Sequence, residues 1–255
     1  NLAKGLNVLY ITMEMAEERI AERIDANLLN TTMDELEILP RDIYEKKMER
    51  IKQTTKGKLI IKEYPTSSAG SANFRHLINE LKLKRNFKPD IIYIDYLNIC
   101  ASSRMKMGAS VNSYTYIKAI AEELRGLAVE CDVPIVSATQ TTRSGYTSSD
   151  LGLEDTSESF GLPATADLMI ALISTDELQE LNQMLVKQLK NRYSDPSSYR
   201  KFVIGVDRSK MKLYDVEQHA QDDIIDDGPA FDNTDTGKRI NGERKFDKNK
   251  FAGFS

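Results

Sequence analysis

The chain has 255 residues, of which 40% are hydrophobic and 29% charged, with a formal net charge of −4. This length and composition indicate a globular protein with one large domain, and no apolar run approaches the roughly 20 residues needed to span a bilayer. The small negative charge excludes a strong overall attraction to nucleic acid, so a contact with DNA would have to come from local clusters of Lys and Arg.

The N-terminal part predicts two strands separated by two helices. Its first residues are typical of the last turn of a helix that stops at Gly5, so we expect the chain to begin within a fold. Apolar spacing then predicts, in order, a strand at Val8–Met13, a helix at Ala16–Leu29, a helix from Pro40 to about Thr54, and a strand at Lys58–Glu63.

The centre of the chain predicts a buried strand between two amphipathic helices. The run Asp90–Asn98 contains few polar residues, and we expect it to be buried on both faces of a parallel sheet. One helix precedes it at about Phe74–Leu81, and a longer helix, Tyr116–Cys131, leads to a third strand at Pro134–Ala138. This alternation of strands and helices predicts an α/β fold with right-handed parallel connections.

Three of these strands end in polar residues that suit a phosphate site. Glu14 follows the first strand, Asp95 ends the central strand, and Gln140 follows the third. Ligands bind at the carboxyl ends of strands in open α/β sheets, where an Asp is well placed to hold hydrated Mg²⁺ beside nucleotide phosphates. A single Asp of this kind is more often the cap of a turn. Because three polar ends converge if the strands are neighbours, we favour a phosphoryl-transfer site.

The C-terminal part predicts an antiparallel edge and a polar tail. An apolar run at Leu168–Ile173 is followed by three short runs separated by turn-like residues, namely Met184–Leu189, Phe202–Val206 and Lys212–Val216. From Glu217 onward the chain is acidic and polar. We therefore expect a domain at residues 1–216 and a disordered tail at residues 217–255.

The motifs resemble the C-terminal RecA-like ATPase domain of DnaB-type hexameric replicative DNA helicases, and most closely the branch found in T4-like bacteriophages. The resemblance covers residues 1 to about 216 and rests on these segments in the family's order: Val8–Met15, Ile92–Leu97, Pro134–Arg143, Glu158–Ser159 before Ala166–Asp167, and Lys190–Arg192. It implies a RecA-like P-loop NTPase core, with a mainly parallel central sheet flanked by helices and an antiparallel C-terminal edge.

The resemblance also implies roles for the polar residues. Glu14 would act as the general base toward the attacking water, Asp95 would hold Mg²⁺ through water, and Gln140 would sense the γ-phosphate of ATP. Lys190 and Arg192 follow the Met184–Leu189 strand on one face, and in the family this pair reaches the ATP of the neighbouring subunit. The alternatives are a carboxylate favoured by a helix N-terminus for Glu14, a loop amide for Gln140, and a solvated basic turn for the pair.

Two loops would line a DNA channel according to the resemblance. The first follows Asp95 and carries Arg104 and Lys106, which are otherwise ordinary surface cations. The second would contain Glu158, Ser159, Phe160 and Gly161. It departs from the family, which has Arg and Gly at the positions of Ser157 and Phe160. Backbone amides and a few cations would bind single-stranded DNA without sequence preference.

No Gly-x-x-x-x-Gly-Lys-[Ser/Thr] segment occurs in the sequence. We therefore expect the chain to start just downstream of the phosphate-binding loop, and we expect residues 1–255 alone to hydrolyse ATP negligibly. The resemblance implies ATP-driven 5′→3′ translocation on single-stranded DNA by a homo-hexameric ring that unwinds the replication fork. It also implies a primase and a helicase loader as partners and a cytoplasmic location, in the bacterial host if the protein is phage-encoded. A RecA-type strand-exchange ATPase and a non-catalytic assembly module that docks through the tail remain alternatives.

Overall fold

The structure is a computed structural model that describes residues 1–106, 111–141, 152–153, 161–195 and 200–217. Four strands form a parallel sheet: β1 (Val8–Thr12), β2 (Leu59–Glu63), β3 (Ile91–Asp95) and β4 (Ile135–Ser137). Their order across the sheet is β2-β1-β3-β4. Four further strands form an antiparallel sheet in sequence order: β5 (Leu168–Ile173), β6 (Gln183–Asn191), β7 (Lys201–Asp207) and β8 (Lys212–Asp215). The predicted α/β fold with a parallel sheet and an antiparallel C-terminal part is confirmed.

The described segments contain seven α-helices. They are α1 (Glu17–Leu29), α2 (Met33–Glu37), α3 (Arg41–Thr54), α4 (Ser71–Arg85), α5 (Ser113–Cys131), α6 (Gly161–Thr165) and α7 (Asp176–Glu180). The four long helices lie where the apolar spacing predicted them. The three helices of five residues were not predicted, because one turn and a half is too short to show a helical period. Local capping instead defines α2, where the Thr32 and Glu35 side chains each accept a hydrogen bond from the other residue's backbone amide.

The main hydrophobic core lies against one face of the parallel sheet. Ile92 and Ile94 of β3 are buried there with α4 and α5, which contribute Phe74, Ile120 and Leu127 among others. The opposite face is only partly covered, since Tyr93 and Asp95 of the same strand are half-buried. The expectation that β3 is buried on both faces is therefore wrong. The strand alternates in burial because its two faces meet different surroundings.

In the antiparallel sheet, the pairing register of β5 with β6 shifts between Met169 and Ile170. Strand β6 continues through Asn191, so Lys190 lies within this strand and not after it, as the sequence had suggested. No helix in the described ranges has both the length and the apolarity needed to cross a membrane. Apart from Glu217, the predicted tail lies outside the described residues.

Candidate functional site

The polar ends of β1, β3 and β4 lie along one edge of the parallel sheet. Thr12, the last residue of β1, is paired in register with Asp95, the last residue of β3. Glu14 follows β1 by two residues, and Gln140 follows β4 by three. Because β3 lies between β1 and β4, the three predicted site residues emerge from adjacent parallel strands at their carboxyl ends. The topology therefore brings them to the edge where α/β proteins bind ligands.

Asp95 is held at this edge by its neighbours on β1. The Tyr10 hydroxyl donates a hydrogen bond of 3.0 Å to Oδ2 of Asp95, and the Tyr10 ring stacks on Tyr93 with 6.2 Å between ring centroids. Burial, and then the negative charge of Asp95, raise the pKa of Tyr10 well above its ordinary value, so the hydroxyl stays a donor at neutral pH. The backbone amide of Met13 also donates to the Asp95 carbonyl at 3.0 Å. The first contact orients the carboxylate, and the second fixes the backbone that carries it. The signal in the sequence was the Tyr two residues before Thr12 on the same face of the strand.

Glu14 stands on a backbone that is fixed on both sides. The buried Thr12 hydroxyl donates to the Met15 carbonyl at 2.8 Å and accepts from the Met15 amide at 3.1 Å. On the other side of Glu14, the Thr66 hydroxyl donates to the Met13 carbonyl at 2.7 Å. Glu14 itself is exposed. The Glu14 carboxylate is therefore accessible to solvent at the sheet edge, while the backbone that carries it is constrained.

Gln140 is connected to the segment that follows Asp95. Its side-chain amide donates to the Tyr96 hydroxyl at 3.3 Å. One residue earlier, the Thr139 hydroxyl donates to the Asn98 side chain at 2.8 Å. The segment after β4 therefore contacts the segment directly after Asp95. A displacement of one segment would change the hydrogen bonds of the other.

The donors at this edge suit Mg²⁺ bound together with phosphates. The described residues contain no group of three or more His, Cys, Asp or Glu that could hold a metal ion by itself. Mg²⁺ typically keeps several waters and takes only one or two carboxylates beside the phosphates of a nucleotide. Asp95 has a carboxylate oxygen oriented by Tyr10, and Glu14 presents a second carboxylate nearby in the topology. The hard oxygen donors therefore fit the ion expected from the sequence.

Arg104, expected to face DNA, is occupied within the chain. Its guanidinium lies 2.9 Å from Glu122 and 3.5 Å from Glu123, and it donates to the Ala119 carbonyl at 3.0 Å. Lys106, two residues later, is exposed. Sequence reasoning missed the two glutamates on α5, because a Glu pair on a helix resembles an ordinary solvated surface.

Only one residue expected in the second DNA loop is described. Glu158, Ser159 and Phe160 lie outside the described residues. Gly161 is buried at the start of α6, where an added Cβ would lie 2.9 Å from the Lys118 side chain on α5. Part of the Gly161 surface is therefore used for packing between two helices, and its contact with DNA stays a prediction.

Lys190 and Arg192 both meet the end of helix α6. The Lys190 ammonium donates to the Pro163 carbonyl at 2.5 Å, and Arg192 donates to the Ala164 carbonyl at 3.0 Å. These are carbonyls of the last helical turn, which attract cations. Burial, and then the charge of Arg192, lower the pKa of Lys190. The two cations lie together, but they contact a helix of their own chain and not a neighbouring subunit.

Asp167 holds Arg192 from the other side. Its Oδ1 lies 3.0 Å from Arg192 as an ion pair without hydrogen-bond alignment, and its Oδ2 lies 2.7 Å from Arg125 of α5. Arg125 also donates to the Thr165 carbonyl at 2.9 Å. The carboxylate is thus shared by two guanidinium groups. Arg125 was not identified from the sequence, since nothing local links it to residues some forty positions later.

Comparisons with known proteins agree on one family. Residues 1–208 match the family described as DnaB-like helicase C terminal domain. A DnaB-like replicative helicase of Enterobacteria phage T4 is 49% identical over 220 residues, which cover 85% of this chain and 46% of that protein. The replicative DNA helicase DnaB of Helicobacter pylori strain 26695 is 28% identical over 169 residues, or 65% of this chain and 33% of that protein. The chain thus spans less than half the length of these two curated relatives.

Solved structures agree in fold. A DnaB-like replicative helicase, described with its interactions with primase, superposes with a TM-score of 0.66 at 18% identity, covering 85% of this chain and 52% of that chain. The ATPase domain of G40P gives the same score and identity and covers 85% of this chain and 76% of that chain. At this level of identity the likeness supports the RecA-like fold alone.

Proposed function

Since the chain belongs to the DnaB-like helicase C-terminal domain family, we propose that it is the motor domain of a replicative helicase driven by ATP hydrolysis. In this proposal a homo-hexameric ring moves 5′→3′ on single-stranded DNA and unwinds the duplex at a replication fork. The observation that carries it is that Glu14, Asp95 and Gln140 lie at or just beyond the carboxyl ends of three adjacent parallel strands. The family assignment favours this function over strand exchange.

Each residue at the sheet edge has a distinct proposed task. Asp95, oriented by Tyr10, would hold Mg²⁺ through water, and the bound ion would supply neutralisation of the charge on the phosphates. Glu14 accepts a proton from the attacking water, because an exposed carboxylate on a fixed turn can be directed at a reacting atom. Gln140 hydrogen-bonds the γ-phosphate, and its link to Tyr96 passes a change in position to the segment after Asp95.

Lys190 and Arg192 are proposed to act on the ATP of the neighbouring subunit. In the isolated chain both cations contact the end of α6, and Arg192 also pairs with Asp167. Subunit contact would exchange these partners for phosphate oxygens, which bind guanidinium more strongly than carbonyls do. An arginine supplied in this way typically contributes about 10³- to 10⁵-fold in rate.

The remaining parts of the proposal concern partners and location. Single-stranded DNA is bound through the loop after β3, where Lys106 is exposed, and through the segment that includes Glu158, Ser159 and Phe160. A primase and a helicase loader are the proposed protein partners, with the structural relative's primase interactions as support for the first. The proposed site of action is the cytoplasm, or the cytoplasm of a bacterial host.

The test is a chimera in which this chain replaces the matching region of the phage T4 relative, with which it shares 49% identity. We expect the chimera to assemble and to unwind a forked duplex with ATP and Mg²⁺, and to need a 5′ tail. Glu14→Gln should retain DNA binding and assembly and lose unwinding. A correctly assembled chimera that fails to unwind, beside an active T4 protein, would overturn the proposal.

A further inference from the structure

One carboxylate outside the catalytic edge gathers an unusual number of donors. The Glu123 side chain on α5 is only 7% exposed. It accepts hydrogen bonds from the Ser102 hydroxyl, from the Ser103 amide at 2.8 Å and from the Ser71 hydroxyl at 2.9 Å. The Arg104 amide at 3.3 Å completes the set. A single side chain thus connects α5, the start of α4 and the chain after β3.

Ser102 extends this connection along the backbone. While its hydroxyl donates to Glu123, the same oxygen accepts from the amides of Arg104 at 3.2 Å and Met105 at 3.0 Å. The Ser102 amide in turn donates to the Tyr116 hydroxyl of α5 at 3.1 Å. The backbone amides of residues 102–105 therefore all donate to side-chain oxygens, in place of the backbone carbonyls that accept from amides in a helix or strand.

The ionised form of Glu123 is the form that this arrangement needs. Burial alone would raise the pKa of Glu123, but the hydrogen bonds from Ser102, Ser103, Ser71 and Arg104 outweigh it and lower the pKa to about 2. The carboxylate offers four acceptor positions, whereas an amide side chain offers fewer and adds donors that would meet the backbone amides. A Gln at this position would therefore not replace Glu123.

We propose that Glu123 is a positioning residue that fixes the β3–α5 segment (residues 102–106) so that Lys106 meets a phosphate of single-stranded DNA. Arg104 belongs to the anchor, because it is tied to Glu122, Glu123 and the Ala119 carbonyl. Lys106 is the exposed cation at the end of the anchored run. The identity of the ligand rests on the proposed function, whereas the anchoring of the segment does not.

The anchor is tested by hydrogen exchange of the 255-residue chain. Glu123→Gln is expected to speed exchange in a peptide covering residues 102–106 by about tenfold, the factor that follows from losing about one hydrogen bond. Glu130→Gln, on the same helix but paired with Arg75 at the surface, serves as the matched control and should behave as wild type. Unchanged exchange in Glu123→Gln would overturn the proposal.

A second pair of variants covers the case in which Glu123→Gln fails to fold. Ser102→Ala removes the hydroxyl that bonds Glu123 and should also speed exchange of residues 102–106, while Ser102→Thr keeps a hydroxyl and should restore protection. Equal exchange in Ser102→Ala and Ser102→Thr would count against the anchor.

The DNA contact is tested by fluorescence anisotropy with a labelled oligo-dT at several salt concentrations. Lys106→Ala should lower the slope of log affinity against log salt by about 0.7, the value for one phosphate contact on a single strand. Lys82→Ala, which removes an exposed cation of α4 outside the anchor, should leave the slope unchanged. A slope lowered as much in Lys82→Ala as in Lys106→Ala, or a slope that Lys106→Ala leaves unchanged, would overturn this assignment. If the wild-type chain does not bind the oligo-dT, the DNA-binding part of the proposed function is contradicted. The anchoring of residues 102–106 is then decided by the exchange measurements alone.

Discussion

Acidification should remove the stabilisation that Glu123 provides. The pKa of Glu123 lies at about 2, against an ordinary value of 4.5. This depression corresponds to about 3 kcal/mol in the free energy of unfolding. Because the folded-state pKa is the lower one, the stabilisation is present above pH 4.5 and is lost as the pH falls toward 2. The side chain is largely buried, so screening by solvent reduces the effect less than at a surface site.

The assay is urea-induced unfolding of wild type and Glu123→Gln, followed by circular dichroism between pH 7 and pH 3. At pH 7 the variant should be less stable by about 3 kcal/mol, and about 2 kcal/mol of this difference should disappear by pH 3. Glu130→Gln is the control, because the side chains of Glu130 and its partner Arg75 are both about half exposed, and an ion pair at the surface contributes little to stability. A difference between wild type and Glu123→Gln that stays constant across this pH range would refute the assignment.

Two further predictions concern packing and the candidate site at the sheet edge. Gly70→Ala should destabilise the fold by about 1–3 kcal/mol, because the new Cβ would lie 1.9 Å from the Ala101 carbonyl oxygen. Gly126→Ala should instead stabilise α5 by about 0.5–1 kcal/mol, because its new Cβ would meet nothing within 4 Å. Equal thermal shifts of the two variants would contradict this. Tyr10→Phe in the chimera should reduce ATP hydrolysis about 10- to 100-fold while raising the Mg²⁺ requirement, since Asp95 loses its orienting hydroxyl. An unchanged Mg²⁺ titration would contradict that role.

The regular elements and the candidate site at the sheet edge were predictable because they depend on short-range patterns and on a general rule of sheet topology. Apolar spacing located the long helices, and uninterrupted apolar runs located the strands. The rule that parallel strands present their carboxyl ends at one edge then brought Glu14, Asp95 and Gln140 together. The burial of β3 was overestimated, because a run of apolar residues does not reveal how well each face of a sheet is covered.

The anchors could not be predicted because they join distant residues. Glu123 lies beside another glutamate on a helix, and only the folded chain brings Ser71, Ser102 and Ser103 to it. For the same reason Arg104 looked like a free cation, although it forms ion pairs with two glutamates of α5. A list of charges along a sequence shows neither which cations are paired nor with which partner.

The central claim, that the chemistry takes place at the carboxyl edge of the parallel sheet, is tested most directly by DNA-stimulated ATP hydrolysis in the chimera. Asp95→Asn changes the carboxyl end of β3, and Asp90→Asn makes the same change at the opposite end, where Asp90 accepts from the Asn7 amide. We predict that Asp95→Asn lowers the rate by about 10²- to 10³-fold, as expected for loss of a group that stabilises transition-state charge. Asp90→Asn should retain most of the rate. Comparable rates for Asp95→Asn and the unmodified chimera would contradict the claim.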